Sequence, residues 1–228
     1  MQNNLLSLLQ LADPALPIGS YAHSSGLETY VQEELVNDMA TTDSFVRSML
    51  EQNLLYTDAA FVSLAFAAAE ANNVNKLCLL NQQCTAIKLP REIRESSHKL
   101  GTRLMKIFQS LAESPVAEAY KQALASEKCT SNYCIAFGVY ASTLGIPKAD
   151  ALHGYFYNAA AGIITNAVKL VPLSQQQGQQ LLFSLQPLIT KLVQQSLAPD
   201  ETMLGACCTA FDIRCMQHEQ LYSRLYMS

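Results

Sequence analysis

Leu152-His-Gly-Tyr-Phe-Tyr-Asn-Ala-Ala-Ala-Gly-Ile-Ile-Thr-Asn-Ala-Val-Lys-Leu170 decides the fold class. Leu152, Phe156, Ala159, Ala160, Ile163, Ala167 and Leu170 recur at intervals of three and four, which lines one side of a helix with 3.6 residues per turn. Pro172 ends the stripe, because proline lacks the donor N–H that a continuing helix needs. Immediately before it, Ile135, Ala136, Val139, Tyr140 and Thr143 make a second stripe, stopped by Gly145 and Pro147.

The same period extends in both directions. Towards the C-terminus, Ser174 to Gln177 spells a capping box, and Leu181, Leu182, Leu185, Leu188, Ile189 and Leu192 face inward, with a kink expected at Pro187. Pro199 is expected to open a last helix carrying Leu204, Cys207 or Cys208, and Phe211. Towards the N-terminus, Ser114-Pro115 caps a helix with Tyr120, Ala123 and Leu124 inside, and Pro90 opens one with Ile93, Ser97, Leu100, Leu104, Ile107 and Leu111 as its seam. Val74, Leu77, Cys78, Asn81 and Cys84 line another, Thr57 caps one with Phe61, Leu64, Ala65 and Ala68, and Thr42 caps one with Phe45, Val46, Met49, Leu50 and Leu54. Leu5, Leu8, Leu9 and Ala12 fall at helical spacing on a short first helix. No stretch alternates with period two and no Asn-Gly or Asp-Gly hairpin signal occurs. The expectation is one all-α domain over residues 1–228, a helical bundle of about ten helices.

Half of the residues are hydrophobic and only 15% are charged, a low share for an isolated monomer, so some apolar surface is expected to meet partners. A net charge of −4 and scattered Lys and Arg give no nucleic-acid footprint. Lys88, Arg91, Arg94 and Lys99 make one short basic cluster, and Arg91, Glu92, Arg94, Glu95 and Lys99 read as a solvated face, with contact to an acidic partner as the alternative. Seven cysteines without a Cys-x-x-Cys pair, and no basic residue in the first twelve, point to reduced, mostly buried thiols in a cytoplasmic protein without a signal peptide. The longest largely apolar run, Ala59 to Ala69, falls well short of the ~20 residues a spanning helix needs, so no membrane segment is expected.

Near the start lies Asp13-Pro-Ala-Leu-Pro-Ile-Gly-Ser-Tyr-Ala-His-Ser-Ser-Gly-Leu-Glu-Thr-Tyr30. Pro14, Pro17 and Gly19 stop any helix before Ser20, a natural N-cap. A helix from Ser20 puts His23, Leu27, Tyr30 and Val31 on one face, with a narrow waist at Ser24, Ser25 and Gly26. Ser25 and Glu28 also fit a capping box, which would start the helix at Ser25. The pattern favours Ser20, with Gly26 as a position of close helix approach.

This stretch resembles the signature of the urease accessory protein F (UreF) family, P-I-G-[SF/SY]-x-H-S-x-G-L-E-x-Y, carried here by Pro17, Gly19, Ser20, His23, Ser24, Gly26, Glu28 and Tyr30. Phe211-Asp-Ile-Arg-Cys-Met-Gln-His-Glu-Gln-Leu-Tyr-Ser-Arg-Leu-Tyr-Met-Ser228 is similar to the family's ending, D-I-x-x-M-x-H-E-x-L-x-x-R-L-F-x-S, with Tyr226 where phenylalanine is usual. Val171-Pro-Leu-Ser-Gln-Gln-Gln-Gly-Gln179 is similar to its P-L-G-Q-x-x-G-Q loop, with Ser174 where glycine is more frequent. The resemblance implies a helical homodimer that acts as a nickel-insertion chaperone, bridging the GTPase UreG and the accessory protein UreD (also called UreH) during loading of apo-urease.

The residues themselves spell no phosphate-binding loop, no G-x-S-x-G elbow and no acidic metal motif. His23, His98, His153 and His218 are far apart in sequence, and His218 and Glu219 point about 100° apart on a helix. No catalytic, cofactor or metal residue is assigned, and a non-catalytic adaptor is expected. The alternatives are a GTPase-activating protein, with Arg94 or Arg224 as its finger, and a nickel carrier. The tail 217–228 is expected to dock UreD through His218, Glu219, Leu221, Tyr222, Arg224, Leu225, Tyr226 and Ser228, with His218 and Glu219 as its hinge and Arg224 seeking a carboxylate on the partner.

Overall fold

Local capping sets where most helices begin. The structure, a computed structural model, describes residues 4–19, 26–127, 129–206, 208–222 and 224, and every regular element among them is helical. Twelve α-helices occur among these residues: α1 (Asn4–Leu11), α2 (Leu27–Gln32), α3 (Met39–Ser48), α4 (Asp58–Glu70), α5 (Val74–Ile87), α6 (Arg91–Gln109), α7 (Pro115–Ser126), α8 (Tyr133–Thr143), α9 (Lys148–Leu170), α10 (Gln175–Ser184), α11 (Gln186–Ser196) and α12 (Thr209–His218). Ser174 and Gln177 form the expected capping box of α10, and Ser114 accepts from the Ala117 N–H ahead of Pro115. The expected kink at Pro187 is a break, with Leu185 ending α10 and opening α11.

Several boundaries differ from the sequence reading. Asp38, not Thr42, caps α3, in a box with Thr41, and the Thr42 hydroxyl is buried, donating to the Asp38 carbonyl at 2.6 Å. The run then continues as a π-helical turn, Met49–Leu54, rather than a regular helix. Pro90 is the residue before α6, not its first. Past Pro199 there is only a 3₁₀ turn, Glu201–Met203, and α12 begins at Thr209. Leu5 and Leu9 lie on the outside of α1.

The core is built around α8. Its residues from Cys134 to Ala141 are all buried, the mark of a helix surrounded by others. Its main neighbour is α4, and Gly138 explains how close they come. A Cβ there would sit 2.6 Å from the Val62 carbonyl oxygen. The alanines of α4 allow the same approach from the other side. Then α9 runs along this pair, burying Leu152, Phe156, Ala160 and Ala167 of the expected stripe together with Tyr155 and Ile164. Two smaller apolar clusters, around Leu27 and around Phe211 with Cys215, join α2 and α12 to the body.

Candidate functional site

The signature and the C-terminal motif meet. Ile18 is buried, and its carbonyl accepts a 2.8 Å hydrogen bond from Arg103 of α6. Pro17 is exposed and Gly19 has a φ of +87°. Ser20, His23, Ser24 and Ser25 lie outside the described residues, so the helix start at Ser20 is not addressed there. A helix running unbroken from Ser20 or Ser25 through Tyr30 is overturned at Gly26. That residue has a φ of +79°, in the left-handed region, and α2 begins only at Leu27. Close approach at Gly26 is found, to the side chains of Cys215 and Phe211 on α12. Tyr30 packs its ring on Phe45 at 4.9 Å, and burial, then the neighbouring Cys215, push its phenol up.

Glu28 lies in the first turn of α2, and its carboxylate is turned inward against His218. The His218 ring is fully buried, with Nε2 3.1 Å from Glu28 Oε2 and Nδ1 2.7 Å from Glu92 Oε2. Carboxylate oxygens only accept, so both contacts are hydrogen bonds when the ring carries both N–H groups or one carboxyl holds the proton. Three elements distant in sequence, α2, α6 and α12, are thereby tied at one imidazole. Thr29 adds a hydrogen bond to the Arg214 carbonyl at 3.1 Å, and Glu33 pairs with Arg214.

α12 ends at His218, whose buried ring ties that end to the body, and Glu219 begins the turn that follows. Glu219 pairs with Arg91 at 2.8 Å, and Arg224 finds its carboxylate within the chain, at Glu92 Oε1, 2.9 Å away. Arg94 donates to the carbonyls of Lys88 and Leu89. Both finger candidates are thus engaged inside the molecule. On the outer side of α12, Ile213 and Met216 are about half exposed, and Tyr222 beyond it is fully exposed. Leu225, Tyr226 and Ser228 lie outside the described residues, as does Cys207.

Beside this junction opens a cleft of about 300 Å³ between the π-helical turn, α6, α9 and α12. Its walls are mostly apolar, with Leu54, Ile93, Leu100, Ile163 and Phe211, and Asp58 and Lys88 face into it. Lys88, a member of the short basic cluster, is nearly buried, and its ammonium lies 2.8 Å from Asp58. Burial alone would lower the Lys88 ammonium, but the Asp58 charge beside it wins and raises it. Burial would likewise raise the Asp58 carboxyl. The Lys88 charge, with hydrogen bonds from Lys88, Thr57 and Cys134, holds it below the ordinary carboxylate range. Tyr133 and Tyr155 stack at 5.7 Å over the pair, and desolvation raises both phenols. Among the described residues, no group of three or more His, Cys, Asp or Glu side chains is arranged to hold a metal ion, and no helix is long and apolar enough to cross a membrane.

The site joins distant segments of one all-helical body through buried and half-buried ion pairs. The family model for UreF matches residues 36–186. A urease accessory protein UreF of Haemophilus influenzae (strain PittEE) is 49% identical over 225 residues, covering 99% of this chain and 96% of that one. The same-named protein of Actinobacillus pleuropneumoniae serotype 5b (strain L20) is 47% identical over 97% of this chain and 98% of its own. That of Bacillus sp. (strain TB-90) is 32% identical over 99% and 100%. The chain belongs to the UreF family of urease accessory proteins.

Proposed function

We propose that this chain is a non-catalytic adaptor of urease maturation. It works as a cytoplasmic homodimer that joins the GTPase UreG to UreD (UreH), and it regulates GTP-dependent nickel insertion into apo-urease. The observation that carries this reading is the C-terminal face. Ile213 and Met216 stand out from a helix that His218 locks to the body, and Tyr222 stands out just beyond its end. Apolar side chains held in water on a rigid helix are what a partner's groove recognises, because little ordering entropy remains to be lost on binding. UreD is the partner assigned to this face, with the residues beyond Leu221 extending the contact.

The test is truncation after Leu221, which keeps His218 in place, alongside Met216→Glu in the full chain. Both proteins are expected to keep their helical spectrum, to lose UreD in a pull-down and to fail in urease activation. Unchanged UreD capture by both would refute the assignment. Equilibrium dialysis against nickel separates the carrier alternative, for which tight stoichiometric binding is required.

A further inference from the structure

Cys84 on α5 and Cys134 at the start of α8 are both fully buried, and their Sγ atoms are 3.4 Å apart although the residues are 50 positions apart in sequence. We propose that Cys84 and Cys134 form an oxidisable dithiol, closed to a disulfide by a hydroperoxide that enters through the cleft.

Closure requires the two sulfurs to approach by about 1.4 Å, to the ~2.05 Å of a disulfide, which side-chain rotation at two adjoining cysteines can supply. Cys134 follows Tyr133 in the chain and lies close enough to the Asp58 carboxylate to feel its charge, and Tyr133 and Asp58 both line the cleft. The cleft's 300 Å³ is several times the ~30 Å³ share of one water molecule, so a small peroxide fits within one side chain of the thiol. Buried thiols are ordinarily inert because the thiolate is the nucleophile and burial disfavours it. Burial does raise the Cys134 thiol, with its hydrogen bond to Cys84 adding to the shift. The Asp58 charge raises it further and the Lys88 charge lowers it, so what favours this pair is the second sulfur 3.4 Å away rather than a ready thiolate.

The steps balance. The Cys134 sulfur attacks one peroxide oxygen. The O–O bond breaks and the leaving oxygen takes the S–H proton, giving a sulfenic acid and one alcohol (water, from hydrogen peroxide). The Cys84 sulfur then attacks the sulfenic sulfur, its S–H proton joins the departing hydroxyl, and water leaves. Two thiols are oxidised by two electrons, and one hydroperoxide is reduced. The product staples α5 to α8.

The other described thiols provide internal controls: Cys78 and Cys215 are buried, Cys129 is exposed and Cys208 half-buried. The full-length protein is treated with hydrogen peroxide, alkylated in denaturant and mapped by mass spectrometry without reduction. The expected result is a Cys84–Cys134 peptide lighter by two hydrogens, formed while the helical spectrum is retained and reversed by dithiothreitol. In Cys84→Ser the expected product is a Cys134 sulfenic acid that dimedone traps. Oxidation confined to Cys129 and Cys208, a Cys78–Cys129 link in its place, or a Cys84–Cys134 link that forms only after the helical signal is lost would each overturn the proposal.

Discussion

Replacing Lys88 by methionine isolates the worth of the ion pair beneath the cleft. The substitution keeps length and apolar stem but strands Asp58. Removing one partner of a buried pair typically costs about 3–5 kcal/mol, since the remaining charge keeps its desolvation penalty without its attraction. Here Asp58 retains Thr57 Oγ1 at 3.3 Å and the Tyr155 hydroxyl at 3.4 Å, and its side chain is 18% exposed at the cleft. Those contacts place Lys88→Met at the low end, about 3 kcal/mol. Asp58→Asn with Lys88→Met removes both charges and leaves only imperfect packing and one altered helix-start contact, so the double variant should lose about 1 kcal/mol. The assay is urea unfolding at about pH 7, followed by circular dichroism with the slope compared between variants. Asp58→Asn alone strands Lys88 and should also cost about 3 kcal/mol, so a double variant about 5 kcal/mol short of the sum of the singles is the signature of the pair. A single variant within ~0.5 kcal/mol of the parent, or a double variant as weak as the sum of the singles, would refute this account of Lys88.

The same pair sets a pH dependence. The Asp58 carboxyl lies below its unfolded value, so its contribution is present above about pH 4 and is lost as pH falls through the lower folded value. Asp58→Asn should flatten that acid limb in pH-resolved unfolding, while the raised Lys88 ammonium adds loss only on the alkaline side. Gly26→Ala should cost about 2–4 kcal/mol, from the left-handed φ and from a Cβ placed 2.6 Å from Cys215 Sγ. Adding Cys215→Ala should recover only the contact part, and a melting curve equal to the parent's would count against the strain. Glu28→Gln preserves shape but gives up the carboxylate at His218 Nε2, and it should cost about 1–3 kcal/mol and speed proteolysis after α12. Unchanged stability and cleavage would mean that the imidazole does not hold that helix.

Helix existence was legible because it is written locally. The stripe from Leu152 to Leu170, the Ser174–Gln177 box and the Gly145 stop depend on neighbours within a turn or two, and all three stand in the structure. Boundaries were less legible where two local signals compete. Thr42 and Asp38 are both good caps, and the choice fell to the residue whose partner, Thr41, can answer it. The motifs that carried the family resemblance also located the junction, although not its chemistry.

What the sequence determined by itself is the all-helical class, most helix starts and stops, and the family. What only tertiary structure decided is which charges are buried. Lys88 sits in a short basic cluster, and Glu92 in a run that reads as a solvated face. One finds Asp58, 30 residues away, and the other finds His218, 126 residues away. Periodicity within a helix reports which side is apolar. It carries no record of which polar group on another helix will be brought opposite, and that pairing decides whether a charge can leave water.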